Sequence, residues 1–336
     1  MRRSTKLIVV LCIVIIFTGC KNNGKPEKEK EEAGTRTRTV YDEVEMLAQP
    51  LVKREDYTFE FDLFDCTQLE KPLGILCREQ DILVVDHKKN TIYQYNYEGK
   101  VIGSIGDTGN GVMEFLCPTA ITSYQNNIYI LDALNYRIQI LDEGLNYVSS
   151  IPLEELSPDP DKEIFWYSDI VVKNENEIYL TTNCTAEAYT NIYLIKDQKE
   201  QSIWRTEFNG YGAVFDDKVY FALSYELVKN GKISGQSYFL NLDKEGKVAK
   251  IDVPYKFSPA DLIATNDYLY IVNTMFMSLD RFSLEGEYID TLYKFTQKLE
   301  DVFYHPNYLS IDKNGDFYLT DYENLKILKV SKIKNE

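Results

Sequence analysis

Short apolar runs set between tight polar turns recur along most of the chain. ILVV at 82–85, IYIL at 128–131, IYLTT at 178–182, VYFAL at 219–223, LYIV at 269–272 and FYLT at 317–320 hold equivalent places in six copies. With Leu83, Tyr129, Tyr179, Tyr220, Tyr270 and Tyr318 as the ruler, the spacings are 46, 50, 41, 50 and 48 residues. Each copy reads as four short strands. An apolar strand leads through a polar turn (QNN, NEN, DD, TND or KNG) into a run that is apolar on both faces. A longer loop follows, then an alternating strand, a hairpin such as EGK, EGL or EGE, and a closing strand. Asn, Asp and Gly stand in these turns because tight hairpins need positive φ. Runs apolar on both faces suit middle strands covered on two sides. A period of 41 to 50 residues is that of a four-stranded propeller blade. The pattern predicts an all-β, six-bladed β-propeller over residues 57–333.

The sixth copy ends after its third strand, and an open blade leaves a strand edge exposed. YTFEFDLF, residues 57–64, alternates cleanly and precedes the first copy. It is predicted to supply the fourth strand of blade six and so close the ring.

Composition narrows the partners. The 336 residues include 26 Tyr and carry a formal net charge of -16. Phosphate binding needs a basic stripe, so nucleic acid is excluded as a partner. With only His87 and His305 in the chain, a histidine-based metal centre is not expected.

The N-terminus is set apart from the fold. Arg2, Arg3 and Lys6 precede the apolar run 7–16, which is shorter than the roughly 20 residues of a spanning helix. It ends in FTGC, which resembles the bacterial lipobox. The resemblance implies a signal peptide over 1–19, with Cys20 as the lipid-modified residue that tethers the protein to a membrane. Lys21, rather than Asp, is similar to the pattern that permits outer-membrane sorting. Residues 20–48 read as the lipidated Cys and an unfolded tether, dense in mixed charge through residue 39. Cys66, Cys77, Cys117 and Cys184 remain, and their disulfide state is open.

The second copy carries a more specific likeness. PTAI at 118–121, NNIYILD at 126–132 and NYRIQIL at 135–141 resemble the NHL repeat. SIGDTGNGVMEFLCP at 104–118 is similar to the connector between NHL blades. The whole looks like the six-bladed propeller lipoproteins of Bacteroidota, which implies a location at the cell envelope, at the outer membrane.

Two kinds of candidate chemistry emerge. Asp132, Asn135 and Arg137 look catalytic, but the spacing recurs at Asp321, Asn324 and Lys326, and Asp86 holds the same place in blade one. Symmetry-related points of a ring suit turn locks: a carboxylate takes loop N–H groups, an Asn tolerates a left-handed backbone, and a cation pairs across. Candidate ligand residues lie where the copies differ. Trp166, Tyr167, Tyr304 and His305 are an expected aromatic platform for a glycan or a protein side chain. Asp169 and Asp261 replace Gly74, Ala120, Ala213 and Tyr308 of the other copies, and are expected at the channel mouth. With His305 they could hold a divalent cation; no cofactor is otherwise expected. No G-x-S-x-G, H-E-x-x-H or glycine-rich phosphate loop is present. The residues favour a non-catalytic scaffold binding a ligand or protein, with a metal-dependent hydrolase or lyase and an envelope-complex subunit as alternatives.

Overall fold

The computed structural model describes residues 57–154, 165–184, 190–197, 199–206, 209–229, 232–242, 248–253, 257–295 and 305–334. Residues 1–56, with Cys20, and Tyr304 lie outside this range, as does the side chain of Trp166. Six four-stranded antiparallel sheets form six blades. Their innermost strands are Pro72–Cys77, Pro118–Tyr124, Phe165–Asn174, Asn209–Phe215, Pro259–Ala264 and Pro306–Ile311. Each touches the inner strand of the next blade, and the sixth touches the first, so the ring is closed.

The sixth blade takes its outer strand from the front of the chain. Tyr57–Asp65 pairs antiparallel with Lys326–Lys334, with Tyr57 opposite Lys334 and Asp65 opposite Lys326. Glu60, Asp62 and Asp65 on one strand meet a partner carrying Lys326, Lys329, Lys332 and Lys334. The closing strand also seals the seams beside it. Phe61 stacks on Tyr293 of blade five at 5.4 Å, and Phe64 packs on Tyr318 and against Gly99 of blade one.

Hydrophobic packing lies between blades. The second strands Ile82–Asp86 and Phe317–Asp321 are buried at every position, as middle strands of stacked sheets must be. Between blades four and five, Phe239, Phe257 and Phe282 form a triangle with ring centroids 5.4–5.6 Å apart. At the seam of blades one and two the inner strands approach backbone to backbone. A Cβ on Gly74 would lie 2.9 Å from the Ala120 Cα, so only glycine fits there.

Polar latches complete each seam. The Asn90 Oδ1 accepts the Cys117 N–H at 2.7 Å, and the Thr119 hydroxyl donates to the Tyr167 carbonyl at 3.0 Å. Asp169 accepts the Gly212 N–H at 2.9 Å, and the Ser237 Oγ accepts the Phe257 N–H at 2.8 Å. Asp261 accepts the Leu309 N–H at 2.7 Å, and the Ser310 Oγ accepts the Cys77 N–H at 2.9 Å. Five of these groups satisfy backbone donors and Thr119 a backbone acceptor that would otherwise be left unpaired at the seams.

Candidate functional site: the corner locks and the central channel

The corner of blade two is a lock. Asp132 is fully buried; one carboxylate oxygen accepts the Leu116 N–H at 2.8 Å. The other accepts Asn135 Nδ2 at 2.9 Å and Arg137 Nε at 2.8 Å. Arg137 then donates to the carbonyls of Asn110, Gly111 and Glu114, pinning the connector loop. Asp86 and Asp321 do the same work. Asp86 accepts the N–H groups of Glu70, Lys71, Lys88 and Lys89. Asp321 accepts those of His305, Glu323 and Asn324, together with Asn324 Nδ2. In each lock the carboxylate captures an N–H just ahead of the Pro that begins the inner strand. Pro is tolerated there because the first residue of an edge strand need not donate.

One detail differs from the expectation for Asn. Asn135 and Asn324 act as donors to the carboxylate, while the left-handed backbone falls one residue later, on Tyr136 (φ 48°) and Leu325 (φ 57°). Asn90 and Met277 hold the same place in blades one and five, at φ 54° and 47°. Blade five has a lock that sequence reading missed. Asn273 accepts the Ser258 N–H and donates to Asp280 at 2.7 Å; Asp280 also accepts the Thr291 hydroxyl. The signal was the alignment of Asn273 with Asp132, obscured because the carboxylate had moved to the neighbouring strand.

Of the expected aromatic platform, only Tyr167 and His305 have described side chains. Tyr167 is wholly buried; its hydroxyl oxygen lies 3.0 Å from the Glu154 carbonyl and 2.9 Å from the Glu200 carboxyl group, with one proton to give between them. A ring sealed in a blade seam offers no face to a sugar. His305 stands at the blade-six corner, its Nε2 3.3 Å from the Glu323 carboxylate. It therefore does not join Asp169 and Asp261. Among the described residues no three His, Cys, Asp or Glu side chains are placed to hold a metal ion together.

Asp169 and Asp261 do meet, in the channel. Both line a cavity of about 330 Å³ whose wall includes residues from all six inner strands. The cavity runs from the layer of Asp169, Asp261 and Tyr308 toward the hairpin end, past Ser123, Val172 and Ala264. On the loop-face side a side chain crosses it. Tyr308 of blade six reaches across the axis, and its hydroxyl donates to the Ser168 carbonyl of blade three, opposite in the ring, at 2.8 Å. Tyr211 packs edge-on against Tyr308 with centroids 6.1 Å apart. The carboxyl pair thus forms a floor for the cavity in the layer that Tyr308 crosses.

The electrostatics of this floor are unusual for aspartates. Burial raises the Asp169 carboxyl above the ordinary range, against the pull of the Gly212 and Ile170 N–H groups. Burial and then the Asp169 charge raise Asp261 well above it. Two carboxyl groups so placed cannot both ionise freely. Burial, with Tyr211 and the two aspartates, also keeps the Tyr308 hydroxyl well above its ordinary value, hence protonated and fit to donate.

With this geometry established, comparison with known proteins bears on the fold. A family model described as 6-bladed beta-propeller matches residues 65–232, half of the chain. The chain belongs to this family. The propeller is similar to regucalcin, a calcium-binding protein from Agrobacterium tumefaciens, with 11% identity and a TM-score of 0.56. That match covers 83% of this chain and 95% of the other. It is similar to virginiamycin B lyase from Staphylococcus aureus at 13% identity and TM-score 0.51, covering 81% and 99%. A protein of unknown function from Bacteroides thetaiotaomicron gives 14% identity and TM-score 0.54, covering 81% and 72%. At these identities the likeness carries the fold alone. No curated protein matches the chain.

Proposed function

We propose that this propeller is a lipid-anchored, non-catalytic binding protein of the cell envelope, tethered to the outer membrane through Cys20, and that it seats a small ligand in the central channel. The observation that carries the reading is the channel cavity of about 330 Å³, within the size range of small-molecule sites. The non-catalytic part is supported by the bonding of its polar floor. Asp169 and Asp261 each hold an N–H of the next blade, and Tyr308 bridges to blade three. Groups that fasten blades together are poorly suited to move during a reaction. His305, which the metal-dependent hydrolase or lyase alternative would set beside Asp169 and Asp261, stands 3.3 Å from Glu323 at the blade-six corner instead.

Equilibrium dialysis of the full chain against a metabolite mixture tests the binding. Wild type should enrich a compound that the cavity-filling variant Ala264→Phe does not. Equal enrichment by both proteins would place binding elsewhere, and enrichment by neither would overturn the reading. The anchor has its own test: a clickable fatty acid should label the wild-type protein in cells and leave Cys20→Ala unlabelled.

A further inference from the structure

Asp169 and Asp261 are each only 7% exposed and face one cavity. Each carboxyl group accepts two backbone N–H groups, Ile170 and Gly212 for the first, Leu262 and Leu309 for the second. Two carboxylates offer about eight lone-pair sites between them, so about half stay unused. Among the described residues no Lys, Arg or His forms an ion pair with either. Buried carboxylates are ordinarily compensated by a cation or by protonation. Other well-buried acids are more fully compensated: Asp81, Asp132 and Asp290 pair with Arg78, Arg137 and Arg281, and Asp86 and Asp321 each accept four N–H groups. The channel pair has only two N–H donors for each carboxyl group, and it adjoins open space.

We infer that the channel cavity binds a small primary amine in its ammonium form, the charged head on Asp169 and Asp261 and the carbon body along the cavity wall. This rests on the reading of the channel as a ligand site. An ammonium brings three N–H donors to a floor with spare acceptors and no donor of its own except the Tyr308 hydroxyl, which is engaged with Ser168. Ile121, Val172, Leu262 and Ala264 are among the residues that line the space beyond. A divalent metal suits the site less well. Calcium takes six to eight oxygen ligands, and only two carboxylates converge here. The size of the cavity, at the low end for ligand sites, selects a short chain.

The exchange is balanced by one proton. Without ligand the pair holds a proton that burial and mutual repulsion retain. The groups facing it are Tyr308, whose burial keeps its hydroxyl protonated, and Tyr211, which packs edge-on against that ring. A bound ammonium supplies the positive charge, and the proton leaves to solvent. Binding should therefore release up to one proton per site, whereas a neutral isostere should release none.

Isothermal titration of the full chain at pH 7, in two buffers of different ionisation enthalpy, tests this with n-butylamine as probe. Matched titrations use n-butanol and calcium chloride. The expected result is saturable binding of butylamine with proton release and no comparable binding of butanol. Asp169→Asn and Asp261→Asn should each weaken butylamine by about tenfold or more. Because one variant could fold poorly, proton release is read on wild type alone as well. Butanol binding as tightly as butylamine would leave the cavity a ligand site and overturn the amine. Calcium binding in its place, or butylamine binding without proton release, would also overturn it. If neither probe binds, the amine is overturned, and the dialysis experiment separately decides whether the cavity binds anything.

Discussion

The Tyr308 hydroxyl lies 2.8 Å from the Ser168 carbonyl, joining blade six to blade three across the propeller axis. Ordinary seams hold neighbours together; this bond ties opposite blades across the channel. Tyr308→Phe keeps the ring but leaves a buried carbonyl without its donor. It should cost about 1–3 kcal/mol in urea denaturation. A variant as stable as wild type would mean that water takes over the carbonyl and the strut carries no load.

The blade-two lock predicts an asymmetry between its partners. Asp132 is fully buried and gathers donors from the loop, Asn135 and Arg137, whereas the Arg137 side chain remains partly exposed. Asp132→Ala strands several buried donors and should cost about 3–5 kcal/mol. Arg137→Ala should cost less, because its charge leaves with it and the carboxylate keeps its other partners. Equilibrium unfolding of the two variants gives the order directly.

Protonation of the channel pair predicts a pH effect with a definite sign. Burial raises the folded-state values of Asp169 and Asp261, so the native state binds protons that the unfolded chain has released. The stability from this source is complete below about 3.9, the unfolded value, and is lost as pH rises through about 6, where Asp169 titrates. His87 acts in the opposite sense. Burial lowers it to about 4, so its contribution is present above about 6.5 and lost as pH falls toward 4. Asp261→Asn should remove a negative slope of up to about 1.4 kcal/mol per pH unit between about pH 5 and 7. Parallel stability profiles for wild type and variant would take the pair out of the pH dependence.

Closure of the ring by the first strand is testable through its side chains. Phe64 is buried between Tyr318 and Gly99, at the seam of blades six and one. Phe64→Ala should cost about 3 kcal/mol, as expected for truncating a buried ring. Thr58→Ala, on an exposed position of the same strand, is the control and should change little. Similar losses from both would point to strand propensity rather than seam packing.

Much of this was legible in the residues because the repeat is written in backbone chemistry. Turn residues and two-faced apolar runs gave the blade period, and the recurrence of Asp86, Asp132 and Asp321 marked the locks as structural. The displaced strand Tyr57–Asp65 was visible as an alternating segment with no copy of its own. What stayed hidden depends on which blades face one another. The Asp169 and Asp261 substitutions stood out against Gly and Ala, but their bonds to Gly212 and Leu309 exist only once the ring is built. The hydroxyl latches at Thr119, Ser237 and Ser310 leave no pattern in a single copy. His305 looked near the pair because it shares the loop face, yet the Asp321 lock holds its backbone at the corner. Tyr167 read as a surface aromatic because a buried hydroxyl and an exposed one look alike in sequence; its partner Glu200 lies 33 residues away.

The pairing of Tyr57 with Lys334 brings the two ends of the folded chain face to face on one ladder. Topologically the propeller is a circle cut at a single point, in blade six. Joining residue 57 to residue 334 and reopening the chain at an exposed hairpin, such as Glu143–Gly144, would preserve every strand's neighbours. The position of the cut is then independent of the ring itself, and in this arrangement it falls between the paired residues Tyr57 and Lys334.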